Sequence, residues 1–275
     1  MIFYKSSSAG NSFLVIEKEE LKNKNKNISE FSRNICNREE GAGADGLIIY
    51  EDRGSSVKFS IFNRDGSEAE ISGNGMAGLS SLLFYLGEKE KEIVLDTKAG
   101  KKTISLIKKE GNEFNLMVEI GVPDFFNLEF FPFLEEGRTF YEYKDFSFYP
   151  VSVGNPHIVL FPETKPEKDE MIKIGAELEQ GSIFPRRTNV EFVFPFKKNI
   201  TNTDTEIDAF FYERGAGETN HSSTGSAAIY SVMKNRNLLN KDLLIKYGRK
   251  NIRIRGENKI YIENYTKIVY KGVYL

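Results

Sequence analysis

Apolar residues fall along this chain in short runs of strand character, at residues 13–16, 47–50, 57–62, 93–95, 116–120, 158–161, 190–194 and 207–212. Runs of this length, rich in Val, Ile, Phe and Tyr and bounded by turn residues, predict a protein dominated by sheet. Gly111-Asn112 stands between the runs 103–107 and 114–120 and reads as the turn of a hairpin. The tail after Tyr247 repeats that arrangement around Gly256-Glu257, which predicts an antiparallel meander. Two other segments, 75–86 and 225–234, each begin just after a turn rich in Ser and Gly. Both are apolar on most sides, the pattern of a central helix. Apolar spacings of three and four over 29–37 and 171–179 predict two further helices, and residues 22–26 read as a charged connector.

The two halves of the chain repeat one another. Gly10-Asn11-Ser12-Phe13-Leu14-Val15-Ile16 matches Gly154-Asn155-Pro156-His157-Ile158-Val159-Leu160 in a Gly-Asn-x-ring-apolar pattern. Further on, residues 62–75 align with 212–225, so that Glu68 pairs with Glu218, Ser72 with Ser222, and Gly75 with Gly225. Two motifs in the same order predict a duplicated α/β unit with a cleft between the copies. The unpaired amides and positive dipole end of each predicted helix start, Ser72-Gly73-Asn74-Gly75 and Ser222-Ser223-Thr224-Gly225, favour an anion. One carboxylate bound by both would set Ser72 and Ser222 on opposite sides of its α-carbon. Taken singly, each serine reads equally well as an N-cap.

The length, 275 residues, suits two domains. Lys and Arg total 38 against 40 Asp and Glu, a balance that draws the chain to neither nucleic acid nor lipid. Hydrophobic residues at 40% and charged residues at 28% support packed cores with a solvated surface. Cys36 is the only cysteine, which excludes an internal disulfide and a thiolate metal cage; its helical surroundings predict an inert buried thiol. The chain has two histidines, no paired metal-ligand motif and no GxGxxG opening a helix, so neither a metal nor a dinucleotide is expected. No signal segment and no apolar run of bilayer length is present, and a cytoplasmic location is expected.

The blocks GNSF at Gly10, GAGADGLI at Gly41, FNRDGSEAEISGNG at Phe62, GNPHIV at Gly154, FPRRTNVEFV at Phe184 and ERGAGET at Glu213 together resemble the diaminopimelate epimerase family. The resemblance spans nearly the whole chain. It implies an α/β (α+β) fold of two pseudo-symmetric domains, each a mostly antiparallel sheet wrapped around a central helix. The first would cover residues 1–119, with 261–275 returning to it, and the second 120–260. It also implies interconversion of L,L- and meso-diaminopimelate by proton transfer at the α-carbon without a cofactor, in a homodimer. By the resemblance, Asn63, Asn189, Glu213 and Arg214 would hold the substrate's distal amino acid group, with Asn11 and Asn155 supporting them. Gly73, Asn74, Ser223 and Thr224 would receive the proximal carboxylate.

The sequence departs from the family at the centre of the chemistry. The family carries cysteines at the positions of Ser72 and Ser222, one thiolate taking the α-proton while the other thiol returns a proton to the opposite face. A thiol titrates near 8.5 and can be lowered further, whereas a serine hydroxyl is a far weaker acid and needs an adjacent base. The resemblance places His157 beside the first position and Glu213 beside the second, and both are present. His221, next to Ser222, is a further candidate base. Three readings follow: an epimerase or close homologue, a non-catalytic homologue that keeps the amino acid pocket, and another proton-shifting isomerase or hydroxyproline dehydratase-like enzyme.

Overall fold

A computed structural model of the chain describes residues 1–21, 27–88, 90–194, 204–239, 241–247 and 250–275; the connector at 22–26 lies outside them. The chain divides into two compact units, Met1–Glu119 with Glu263–Leu275, and Ile120–Ile262.

The first unit contains β1 (Ile2–Ser8), β2 (Asn11–Glu17), α1 (Ile28–Cys36), β3 (Gly46–Asp52), β4 (Val57–Asn63), β5 (Glu68–Ala69), α2 (Gly73–Leu86), β6 (Glu92–Thr97), β7 (Gly100–Glu110) and β8 (Glu113–Gly121). Strands follow in the order β1-β2-β3-β4-β6-β7-β8. The final strand of the chain, whose residues from Glu263 onward belong here, pairs back with β1, Ile2 opposite Val273 and Ser8 opposite Thr266. Asn112, at the tip of the β7–β8 hairpin, also binds that strand through both backbone and side chain at Ile268. Helix α2 packs on β1, β2, β3 and β7.

Helix α2 is buried on nearly every side from Gly73 to Phe84. Its many small residues explain how strands approach so closely. A Cβ on Gly75 would stand 2.7 Å from Ile61 Cδ1, and one on Gly78 would stand 2.6 Å from Ser6 Oγ. Each glycine weakens an isolated helix by about 1 kcal/mol, so burial of Met76, Leu79, Leu82 and Phe84 must sustain it. Helix α1, capped by Asn27 Oδ1 accepting from the Glu30 amide at 3.2 Å, covers β3 and β4 with Phe31, Ile35 and Cys36. Desolvation pushes the Cys36 thiol up to about 12, which leaves it inert.

The second unit contains β9 (Tyr141–Tyr143), β10 (Phe146–Ser152), β11 (Pro156–Leu160), α3 (Lys168–Glu179), β12 (Asn189–Val193), β13 (Thr205–Ile207), β14 (Ala209–Glu213), β15 (Gly217–Thr219), α4 (Ser223–Asn235), β16 (Leu243–Tyr247), β17 (Lys250–Gly256) and the start of β18 (Ile260–Val273). A six-stranded sheet runs β15-β14-β12-β11-β10-β9. Helix α4 packs on β10, β11, β12 and β17, and α3 covers β12, β14 and β15. Aromatic edge contacts among Phe131, Phe133, Phe148 and Phe184 build the core on the α3 side. β16, β17 and β18 form the expected meander. The apolar run at 207–212 is not one strand: it breaks at exposed Asp208, sending β13 to β16 and β14 to β12.

The sequence repeat reappears as a repeat of hydrogen-bond register. β2 and β11 each follow a turn at a glycine with positive φ, Gly10 and Gly154. Each then pairs in parallel with β3 or β12, Phe13 opposite Gly46 and His157 opposite Asn189. β4 and β14 each fold back on a short strand, with Phe62 opposite Glu68 and Tyr212 opposite Glu218. Ser72 and Ser222 then cap α2 and α4, each accepting the amide three residues on at 3.1 Å. Mixed α/β units of this kind, each wrapped about a buried helix, are the architecture the resemblance implied.

Gly75→Ala tests how tightly the central helix is held. Overpacking against Ile61 and Phe59 is expected to remove about 1–3 kcal/mol from denaturant unfolding, although alanine is the better helix former.

Candidate active site

The start of α4 carries the most reactive arrangement in the second unit. The β14–β15 hairpin ends with Glu213 opposite Gly217, which turns Glu213 toward the helix start. Ser222 Oγ donates to Glu213 Oε2 at 3.0 Å, and Thr219 Oγ1 donates to Glu213 Oε1 at 2.6 Å. Ser222 Oγ also accepts from the Gly225 amide and lies 3.4 Å from Thr224 Oγ1. A hydroxyl has one proton to give, and here Glu213 receives it. Desolvation raises the Glu213 carboxyl above the usual range, opposed by the hydrogen bonds from Thr219 and Ser222. A carboxyl tuned upward and bonded to a hydroxyl can pass a proton in either direction.

Beneath that helix start lies a second ionisable group. His157 and Glu191 are both fully buried on neighbouring strands, with Nδ1 2.8 Å from Glu191 Oε1. Nε2 stands 2.9 Å from Asn155 Oδ1. Burial raises the Glu191 carboxyl, and the charge and hydrogen bond of His157 pull it back down. His221 is no base: it lies in the core with its ring against Phe211, and desolvation holds it down to about 3. Ser226 Oγ gives its proton to the Ser222 carbonyl, so it accepts from His221 Nε2. His221 is therefore a neutral structural residue.

The equivalent place in the first unit is built differently. Ser72 is half-buried, and its Oγ accepts from Gly75. The register that puts Glu213 beside Ser222 puts Asn63 in the corresponding place, donating to Ser67 Oγ at 3.0 Å. Behind the helix start runs a buried chain in which Asn74 donates to Asn11, Asn264 to Asn74, and Ser8 to Asn264, at 2.8, 2.8 and 2.9 Å. That chain holds the first turn of α2, where helix geometry leaves the amides of Gly73 and Asn74 without an acceptor inside the helix. Ser223 and Thr224 occupy the same two positions in α4.

The remaining candidate residues brace as much as they present. Asn189 donates to the Pro156 carbonyl at 2.7 Å and accepts the Arg214 amide at 3.0 Å. Arg214 reaches the Arg186 carbonyl with Nη1 at 3.0 Å and is partly exposed. In the GAGADG segment, Asp45 fixes Ser12 through its amide and hydroxyl and is paired with Arg38. Glu191, Thr219, Asn264, Ser8 and Asp45 are absent from the sequence-based expectation. Glu191, Asp45 and Thr219 fall inside the blocks FPRRTNVEFV, GAGADGLI and ERGAGET, and Glu191 is also a single acid inside the apolar run 190–194. No group of three His, Cys, Asp or Glu suited to a metal ion occurs among the described residues.

The fold is shared with a probable proline racemase from Agrobacterium radiobacter, solved with bound carbonate, with a TM-score of 0.68 at 13% identity, covering 100% of this chain and 92% of that one. A PhzF-family phenazine biosynthesis protein from Bacillus anthracis gives 0.64 at 13% identity, covering 100% and 99%. These define the class by fold. The sequence model of the family described as diaminopimelate epimerase matches residues 3–126 and 149–270. The diaminopimelate epimerase of Carboxydothermus hydrogenoformans is 33% identical over 296 residues, covering 100% of this chain and 99% of its own. That of Methanocaldococcus jannaschii is 35% identical over 255 residues, covering 83% and 82%. The chain belongs to the diaminopimelate epimerase family.

Neutral, buried His221 has a measurable consequence. Its unfolded-state value lies near 6.5 and its folded value is depressed, so its contribution to stability is present above 6.5 and is lost as pH falls toward 3. Between pH 7 and 5 the wild type should lose about 2 kcal/mol more than His221→Gln in urea unfolding. The His221 ring signals should also stay flat from pH 8 to 5 in NMR.

Proposed function

We propose that this chain is an amino acid epimerase that inverts an α-carbon of diaminopimelate, interconverting the L,L and meso isomers without a cofactor. Family membership supports the substrate. The hydrogen bond from Ser222 to Glu213 at the start of α4 carries the chemistry. In this reading Ser222 takes the α-proton as it yields its own to Glu213, and a second group returns a proton to the opposite face, with Ser72 and His157 the proposed donors. One proton leaves the α-carbon and one returns to it, so Glu213 ends the step protonated and the second donor one proton short, and proton exchange with solvent restores both. Gly73 and Asn74 at the start of α2, and Ser223 and Thr224 at the start of α4, are the proposed receivers of the proximal carboxylate, since helix starts favour anions. Arg214 grips the distal carboxylate, Glu213 and Asn63 receive the distal ammonium, and Asn11, Asn155 and Asn189 brace these groups. A cytoplasmic homodimer is the setting this family reading supports. No described helix is long and apolar enough to cross a membrane.

The absence of both thiols favours a second reading, a homologue that binds the amino acid and turns nothing over. The two separate cleanly. Incubation with L,L-diaminopimelate in heavy water is expected to put deuterium at the α-carbon and produce the meso isomer. Restoring the thiols in Ser72→Cys/Ser222→Cys is expected to speed exchange at least tenfold, because a thiol ionises far more readily than a hydroxyl. Binding by calorimetry with no exchange in the wild type would establish the second reading, and no binding of any amino acid would overturn both.

A further inference from the structure

The repeat shows what the His157–Glu191 pair replaces. Register aligns His157 with Phe13 and Glu191 with Ile48, since Phe13 faces Gly46 as His157 faces Asn189, and Ile48 faces Ile61 as Glu191 faces Phe211. Phe13 and Ile48 are buried apolar residues, so this scaffold packs well at these positions without charge. A buried ionisable pair is generally no more stabilising than an apolar pair of similar volume, and is often less so. Glu191 is also incompletely satisfied: Oε2 has no hydrogen-bond partner among the described residues. The helix start makes room for it, because a Cβ on Gly225 would stand 2.7 Å from Glu191 Oε1. The field reaches the proton-transfer group above, where the charge of His157 lowers and that of Glu191 raises the Glu213 carboxyl.

We propose that Glu191 is a positioning residue of the epimerase reaction, acting through His157. Its Oε1 fixes imidazole Nδ1 and shares the proton on that line, so the ring keeps one orientation while Nε2 faces Asn155. Glu191 touches no substrate. Its role rests on the epimerase reading, and its test is separable from that reading.

The chain's two histidines, His157 and His221, make the ring nitrogens readable by NMR. In Glu191→Gln, which keeps the side-chain volume, the His157 Nδ1 shift is expected to move to that of a different hydrogen-bonding state while the His221 signals stay put. The kcat for α-deuterium exchange should fall at least tenfold, with KM within twofold. His157→Phe/Glu191→Ile installs the apolar pair of the first unit and is expected to abolish exchange while unfolding at the same or higher denaturant concentration. Wild-type kcat in Glu191→Gln, or a double variant that unfolds much more easily, would overturn the inference and make the pair structural. An inert wild type would instead overturn the epimerase reading itself.

Discussion

A helix buried on every side can satisfy its first amides only with groups that the fold brings to it. Helices α2 and α4 are such helices, and each solves the problem with a serine hydroxyl that takes the third amide of the first turn. The short strands β5 and β15 exist to deliver those serines, folding back on β4 and β14 in identical register just before each helix begins. Glycines at positions 75 and 225 let the strands beneath come within contact distance. Two further amides at each helix start then have no acceptor in the helix itself. An anion received at either helix start would thus exploit a by-product of packing a helix into the centre of a sheet.

The same scaffold, used twice, carries different chemistry in its two copies. The second unit has Glu213 where the first has Asn63, and His157 with Glu191 where the first has Phe13 with Ile48. Acid-base groups are concentrated under α4, while a neutral chain of Asn11, Asn74, Asn264 and Ser8 supports α2. Neutral amides and hydroxyls hold a backbone in place without answering to pH. Carboxyls answer to it, and burial raises both Glu191 and Glu213 above the usual carboxylate range. The duplication provided equivalent geometry, and divergence at a few positions concentrated the buried ionisable side chains in the second copy.

Much of this was legible in the sequence because repeated motifs report geometry, not just composition. Glu68 with Glu218 and Ser72 with Ser222 aligned as strings, and they align as hydrogen-bond partners and caps. The central helices were readable from their even apolar content, and α1 and α3 from spacing. Strand β1 was not, since Tyr4, Lys5 and its three serines carry no apolar run; it is held by pairing with β2 and β18 on its two sides. The break at Asp208 was hidden because Ile207 and the apolar residues from Ala209 flank it, and only the partners of β13 and β14 show that they are separate strands. Asn264 joins Asn74 across 190 positions of sequence, a separation no local pattern reveals. Glu191 stands out in the sequence as one acid inside an apolar run, but its side-chain contact with His157 on the neighbouring strand is not readable there.

Serine at 222, where the resemblance implies a cysteine, changes the balance between holding the helix and moving a proton. Serine is among the strongest N-cap residues, so the hydroxyl at 222 secures α4 directly. In the proposed reaction the cap and the reacting atom coincide, since Ser222 Oγ accepts from Gly225 while donating to Glu213. If its proton passes to Glu213, the oxygen that remains is negative at the positive end of a buried helix, already bonded to an amide. The capping bond then becomes charge-assisted and strengthens as charge develops. A hydroxyl is a poor acid in water, but here the interaction that anchors the helix is also the one that stabilises its anion, and Glu213, raised by desolvation, is the better acceptor for it. Catalytic competence in this chain therefore turns on how much of a thiol's advantage the helix start and the buried carboxyl together recover.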